Sequence, residues 1–391
     1  MRPPDRSTVM LDPFTQTPAA GAIMALLADS PALTRAQLMD ATGLSRSGLQ
    51  SRLDDLSSLG AIEEDQLAPT GRGRPQSRFR VAPTIGATVS VDLSRDPATL
   101  RFARLDREPV TETPVRVELD AAPHGGTLVE VLRDALSSHG LMLGDVLSVA
   151  LAASFDDDDG HAELRHRLAA AMPQAEIEVT QAVNAAAIAE WHSAHTNDLH
   201  SMLYLGLGTA IRSTLITGGR IHRGAGDAAG DIGHARVPDH SDIVCHCGQR
   251  GCLDRVASTT ALAEQLRASG LVDARATTVA ELVRAGHPDA TRLTRSAGRA
   301  VGEVIALLVN LTNPQTIVVG GVQGPLLQHM IAGLRERVYE RATPLATREL
   351  VIREAQLGLD APGIGAAHLA HEVAVAPSAL QRLLERLPTK L

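Results

Sequence analysis

All three cysteines of the chain fall within eight residues, Cys245-His246-Cys247-Gly248-Gln249-Arg250-Gly251-Cys252. Thiols so close in sequence cannot staple distant segments together, which excludes a disulfide framework, and their odd number suits a reducing compartment. Gly248 and Gly251 permit a tight loop, and three thiolates in such a loop supply three of the four ligands of a tetrahedral zinc site. The fourth must be a nitrogen or an oxygen, for which His234, His240 and His246 are the candidates. A structural Zn2+ is therefore expected here before any other element is assigned.

Composition narrows the class further. The chain of 391 residues carries 37 Lys+Arg against 45 Asp+Glu, a net charge of -8, and 44% of it is hydrophobic. This length suggests two or three domains with full-sized cores. Aromatics make up 2%, too few for the stacking platforms of a single-stranded nucleic-acid binder. The acidic total argues against a chain that coats nucleic acid without specificity. The opening stretch Met1 to Asp12 is polar, and no run reaches the ~20 apolar residues of a membrane span, so a soluble, cytoplasmic protein with no membrane partner is expected.

Residues 1–84 read as a separate module of three short helices. The first lies within Ala20 to Asp29, with Ile23, Leu26 and Leu27 as its apolar stripe. Thr34 caps a second that closes at Thr42-Gly43, and Ser45 caps a third, with Leu49, Leu53 and Leu56 on its buried face. A short helix, a glycine turn and a second amphipathic helix form a helix-turn-helix pattern. On the outer face of the third helix stand Ser45, Arg46, Ser47, Gln50 and Ser51, where a recognition helix meets base edges. There arginine forks onto guanine and glutamine onto adenine. Ala61-Ile62 and Phe79-Arg80-Val81 read as two strands joined by Thr70-Gly71-Arg72-Gly73-Arg74-Pro75, the shape of a wing. Arg72 and Arg74 around Gly73 suit a narrow A·T minor groove. A solvated helix face and a flexible basic linker are the alternative readings of these two segments. Residues 1–85 hold nine arginines and nine acidic residues, so the -8 belongs to the remainder. Asp54, Asp55, Glu63, Glu64 and Asp65 are expected to lie away from the groove contacts.

From Ile85 to the end, residues 85–391 read as an α/β body with two lobes. Ala87 to Leu93, Leu100 to Leu105 and Val115 to Leu119 suggest a meander. Helices and strands then alternate, with one helix from His161 to Ala171 and a long apolar one from Ala297 to Thr312. Thr316 to Gly321 reads as a buried strand ending in a glycine turn. The final helix, from Ala379, is expected to pack back on the first lobe.

Several segments together resemble the ROK family of repressors and sugar kinases. They are Gly230-Asp231-Ile232-Gly233-His234, the cysteine loop with Leu253-Asp254, Tyr204 to Thr209, Arg223 to Gly226, Asn310 to Pro314, Ile317 to Gly321 and Gly363 to Ala367. The front end agrees, through Thr42-Gly43-Leu44-Ser45 and Gly73-Arg74-Pro75, so the resemblance spans nearly the whole chain. It implies a winged helix-turn-helix fused to an actin-like (ribonuclease H-like) two-lobed sugar-kinase fold. It also implies that His234 completes the zinc site with Cys245, Cys247 and Cys252.

The pocket departs from the pattern of the family's kinases. Their proton-accepting carboxylate lies in an Asn-Asp pair that becomes Gln181-Ala182 here, and losing such a base costs about 10²–10⁴ in rate. The two phosphate loops become Asp92-Leu93-Ser94-Arg95-Asp96 and Gly208-Thr209-Ala210-Ile211-Arg212, with side chains where backbone N–H groups would approach phosphate. Arg212 is expected to fill or close the cleft. By the resemblance, Gln181, Asp231, His234 and Asp254 are the effector-binding candidates, although Asp231 and Asp254 are each one methylene shorter than the family's glutamates. The acidic run Asp156 to Asp159 is expected to be a solvated loop.

These readings converge on a transcriptional regulator without enzymatic activity. It would be a repressor acting as a homodimer or homotetramer on an inverted repeat in double-stranded DNA, answering to a sugar-derived effector. The alternatives are an ATP-dependent sugar kinase with a regulatory head, and an effector-independent regulator whose body is an oligomerisation scaffold.

Overall fold

The computed structural model describes residues 20–30, 32–66, 77–119, 125–154, 158–194, 199–240, 242–270 and 276–388. Helix α1 (Ala20–Ala28) leads to strand β1 (Leu33–Thr34), helices α2 (Arg35–Thr42) and α3 (Arg46–Ser58), and strands β2 (Ile62–Gln66) and β3 (Ser77–Val81). The strands form an antiparallel sheet in the order β1-β3-β2, with Leu33 opposite Phe79 and Ile62 opposite Val81. This is the order of a winged helix-turn-helix.

Local chemistry sets its boundaries. Thr34 and Gln37 close a capping box at the start of α2, and Gly43 ends that helix at φ 68, a left-handed position that costs a glycine little. Ser45 Oγ accepts the Gly48 N–H at 3.2 Å to start α3. Strand β1 escapes a sequence reading because two residues carry no periodicity. The wing residues 67–76, with Arg72 and Arg74, lie outside the described residues.

The first lobe comprises β4 (Ala87–Asp92), β5 (Ala98–Arg104), β6 (Val115–Val117), α4 (Gly125–Ser138), β7 (Val146–Ala153), α5 (Asp158–Ala171) and β8 (Glu176–Gln181). Its sheet order is β6-β5-β4-β7-β8, with β4 antiparallel to β5 and parallel to β7. Val89, Val91, Leu100 and Phe102 from the sheet share a core with Leu128, Leu132, Leu164 and Leu168 from α4 and α5. Helix α5 begins at Asp158, so the acidic run is not wholly a loop and its last two residues are helical; residues 155–157 lie outside the described ones.

The second lobe runs through α6 (Ala182–Ser193), β9 (Ser201–Leu207), β10 (Ile211–Thr217), β11 (Arg220–Ile221), α7 (Leu253–Ala257), α8 (Thr259–Ala268), α9 (Ala276–Arg284) and α10 (Pro288–Thr312). It continues with β12 (Thr316–Gly320), α11 (Gly324–Arg341), α12 (Pro344–Thr347) and β13 (Val351–Glu354); helix α13 (Ala361–Ala374) begins in this lobe and ends outside it, followed by the last helix α14 (Pro377–Arg386). Its sheet order, β11-β10-β9-β12-β13, repeats that of the first lobe, again with an antiparallel meander followed by parallel strands. This duplication is the two-lobed, actin-like architecture that the resemblance implies. The chain divides into two compact units, Met1–Thr180 with Ala366–Leu391, and Gln181–Gly365.

Helix α14 returns to the first lobe as expected, where Arg382 pairs with Glu176 and Arg386 Nη1 donates to the Gln174 carbonyl at 3.3 Å. Its apolar face, however, goes to the head. Leu380 and Leu384 join Ile23, Leu27, Leu38, Leu49, Leu53, Leu56 and Phe79 in one core. Helices α14 and α1 approach so closely that a Cβ on Gly21 would overlap the Pro377 carbonyl oxygen. A polar tie lies alongside, since Asp29 Oδ1 meets His371 Nε2 at 2.9 Å and Arg107 Nη2 at 3.0 Å. His371, followed by the Arg107 guanidinium, holds the Asp29 carboxyl below its ordinary value. Among the described residues, no helix is long and apolar enough to cross a membrane.

Candidate metal centre and ligand site

The cysteine loop is built by a short antiparallel ladder. Cys245 N–H donates to the Gln249 carbonyl at 2.8 Å and Gly251 N–H to that of Ile243 at 2.8 Å, while Arg236 bridges Cys252 and Val244 bridges Arg250. This ladder turns Cys245 and Cys247 toward Cys252, and a single-turn 3-10 helix, Ile232–His234, delivers the histidine. His234 Nδ1 lies 3.7 Å from Cys245 Sγ, and Cys247 Sγ lies 3.6 Å from Cys252 Sγ. All four ligand atoms fall within 4.8 Å of one another. A zinc tetrahedron with bonds of about 2.3 Å to sulfur and about 2.0 Å to nitrogen has edges of about 3.5–3.8 Å, so the donor set fits that ion.

Of the other histidine candidates, His246 Nδ1 is 3.7 Å from Cys245 Sγ, and its ring stands edge-on to that of His234 at 5.3 Å. Neither His246 nor His240 belongs to the group of four. Burial pushes the Cys252 thiol up to about 12, while the Gln249 N–H lowers that of exposed Cys247. A cation bound to thiolates at this site would release protons.

The same residues carry the candidate ligand carboxylates. Asp231 immediately precedes the 3-10 helix that ends at His234, and Asp254 lies in the first turn of α7, two positions beyond Cys252. The structure brings both acids onto one cation. Arg212 Nη1 lies 3.3 Å from Asp231 Oδ1 and 3.1 Å from Asp254 Oδ2. Asp254 is buried, and its second oxygen accepts the Ile211 N–H at 2.7 Å. Gly233 lies directly beneath, where a Cβ would come within 2.5 Å of Arg212 Nη1. Gln181 stands at the N-cap of α6, with Ala182, buried and without a proton-accepting group, as the first helical residue. The Asn184 side chain in the same first turn accepts the Thr214 hydroxyl at 2.7 Å, tying α6 to β10.

At the first phosphate-loop position, Asp92 is fully buried and folded onto its own turn. Ser94 N–H and Oγ donate to its Oδ1 at 3.0 and 2.6 Å, and burial raises its carboxyl above the ordinary value. A second fully buried acid, Glu190, is one that sequence reasoning misses. It accepts Arg353 Nη1 at 3.0 Å and the N–H groups of Gln356 and Leu357 at 2.6 and 2.8 Å, and so anchors α6 to the segment after β13. No local signal announces partners more than 160 positions away.

On the head, Ser45, Arg46, Ser47 and Ser51 are exposed on the outer face of α3, and Gln50 is half-buried. Gln50 Nε2 donates to Asp54 Oδ1 at 2.7 Å, so Asp54 shares that face rather than lying away from it. Glu63 and Asp65 pair with Arg80 at 2.6 and 3.3 Å across β2 and β3.

Residues 153–373, more than half of the chain, match the family model described as ROK family. An N-acetylmannosamine kinase of Citrobacter koseri is 29% identical over 280 residues, covering 71% of this chain and 87% of that protein. The DNA-binding transcriptional dual regulator NagC of Escherichia coli K12 is 25% identical over 399 residues, covering 94% of this chain and 95% of that protein. A solved ROK family transcriptional regulator, a homolog of the E. coli MLC protein, superposes with a TM-score of 0.74 at 20% identity, over 94% of this chain and 98% of its own. The chain belongs to the ROK family.

Proposed function

We propose that the protein is a DNA-binding transcriptional repressor of the ROK type. Residues 1–84 are its DNA-binding head, and residues 85–391 its effector and oligomerisation body. The observation that carries this reading is a winged helix-turn-helix whose third helix exposes Arg46, Ser47 and Ser51, joined to a kinase-like body in which the family resemblance assigns Ala182 to the place of the catalytic base. The likeness to NagC extends over the head, whereas that to the kinase covers a smaller share of the chain.

Ser45, Arg46, Ser47, Gln50 and Ser51 read a major groove, Arg72 and Arg74 enter the flanking minor groove, and a homodimer or homotetramer places two heads on an inverted repeat. His234, Cys245, Cys247 and Cys252 hold a structural zinc ion, whose chemistry is to lock the loop that carries Asp231 and Asp254. Binding of the purified chain to duplexes selected from a random pool tests this reading, and a chain that enriches none contradicts it. The kinase alternative is tested by ADP release over hexoses and N-acetylhexosamines. No turnover above background is expected, because a missing base and two altered phosphate loops act together.

A further inference from the structure

The carboxylates of Asp231 and Asp254 are the groups that a sugar's hydroxyls would seek in this site. A single nitrogen of Arg212 reaches both, at 3.3 and 3.1 Å. The other oxygen of Asp254 is taken by the Ile211 N–H at 2.7 Å, so both oxygens of that acid are engaged from within the chain. The side chain of Asp254 is 9% exposed and that of Arg212 is 24% exposed, so their contact is a sheltered, charge-assisted hydrogen bond, whereas Asp231, 43% exposed, adds a half-solvated ion pair. The backbone leaves room for this arrangement only because residue 233 is glycine, as any Cβ there would crowd both Arg212 Nη1 and the Asp254 carboxylate.

We propose that Arg212 is the resident occupant of the effector site and makes the body refractory to neutral sugars. This rests on the reading of Asp231 and Asp254 as the effector carboxylates. A neutral hydroxyl forms a weaker bond to a carboxylate than a guanidinium does. A neutral sugar entering here must break the charge-assisted bond to Asp254 and the ion pair to Asp231, and so part Arg212 from both acids. At roughly one to two decades of affinity for the sheltered bond to Asp254, with the half-exposed contact to Asp231 adding little, neutral monosaccharides bind at least about 10-fold more weakly than they would with glycine at position 212. Arg212 is therefore the specificity-determining residue, and the regulator holds its operator without release by such sugars.

The test is calorimetry and thermal shift on the full-length wild type, Arg212→Gly and Arg212→Gln. The ligands are glucose, xylose, N-acetylglucosamine and N-acetylmannosamine at about 10 mM. The glutamine variant keeps an N–H donor for Asp254 while removing the charge, so it guards against failure of the glycine variant to fold. The wild type is expected to bind none of the four, and at least one variant to gain at least about 10-fold affinity for one of them. Wild-type binding within about threefold of the variants', or folded variants that gain nothing, overturns the proposal. If neither variant folds, the pair is a structural strut and not a replaceable occupant, which also overturns it. Gel shifts on the same samples keep the two readings apart. A wild type that binds DNA but is released by a neutral sugar sinks this inference alone, whereas a wild type that binds no duplex sinks the regulator reading and leaves the sugar measurements standing.

Discussion

Cys247→Ser separates a metal centre from a chance gathering of thiols. Cys247 is exposed, whereas Cys245 and Cys252 are buried. Without a metal, an exposed Cys→Ser change removes no packing and belongs with surface substitutions worth within about 0.5 kcal/mol. With zinc bound, it removes one of four ligands from an ion that binds the folded loop and not the unfolded chain. If free zinc exceeds the dissociation constant about 1,000-fold, the ion contributes about 4 kcal/mol. The unit that holds the site, Gln181–Gly365, is of a size for which 1 kcal/mol moves the melting temperature by about 2–4 °C. Loss of the ion should therefore lower that transition by about 8–16 °C. Differential scanning calorimetry, with zinc content measured by mass spectrometry on the same samples, reads both quantities. The wild type should hold one zinc per chain, and a chelator should bring its melting temperature down to that of the variant. A zinc-free wild type, or a variant that melts with it, refutes the reasoning.

Three further outcomes follow from the head and its attachments. Arg74→Ala should weaken operator binding in a gel-shift titration with the fold unchanged, and unchanged affinity would remove the wing from the mechanism. Gly21→Leu forces side-chain volume into the contact with Pro377 and should destabilise the head by about 1–3 kcal/mol, or more, in thermal melts, with a matching loss of DNA binding. Asp29→Asn removes the partner of His371 and Arg107, a half-exposed arrangement worth at most about 1 kcal/mol. The folded-state carboxyl of Asp29 lies below its ordinary value of 3.8, so this stability is present above that pH and lost as the pH falls through the folded value. Denaturant melts of wild type and variant should accordingly differ at neutral pH and begin to converge as the pH falls below about 3.8.

How much of this is legible in the sequence depends on the range of the interactions. The caps at Thr34, Gly43 and Ser45 act over three or four residues, so the helix-turn-helix can be read directly. The cysteine loop is equally plain, because three of its donors lie within eight positions. Helix α10 is harder. It starts at Pro288, nine residues before the expected Ala297, because its first turns are polar and carry no apolar run. The destination of α14 is invisible as well, since an amphipathic helix shows that it has a partner but not that the partner is α1. The expectation for Asp54 fails because four positions along a helix return to the same face, which puts it beside Gln50. The ion pairs of Arg212 span 19 and 42 positions, so the sequence suggests that the residue closes the cleft but not which groups it holds.

The central claim, that the chain recognises specific duplex DNA, is tested most directly by fluorescence anisotropy. Purified full-length protein is titrated into a duplex enriched by selection and into a scrambled control, at physiological salt. An inverted repeat with half-sites about one helical turn apart, or a multiple of it, is expected to bind at least about 10³-fold more tightly than the control. Most of that preference should be lost in Arg46→Ala. Equal affinity for both duplexes, or no binding to either, contradicts it.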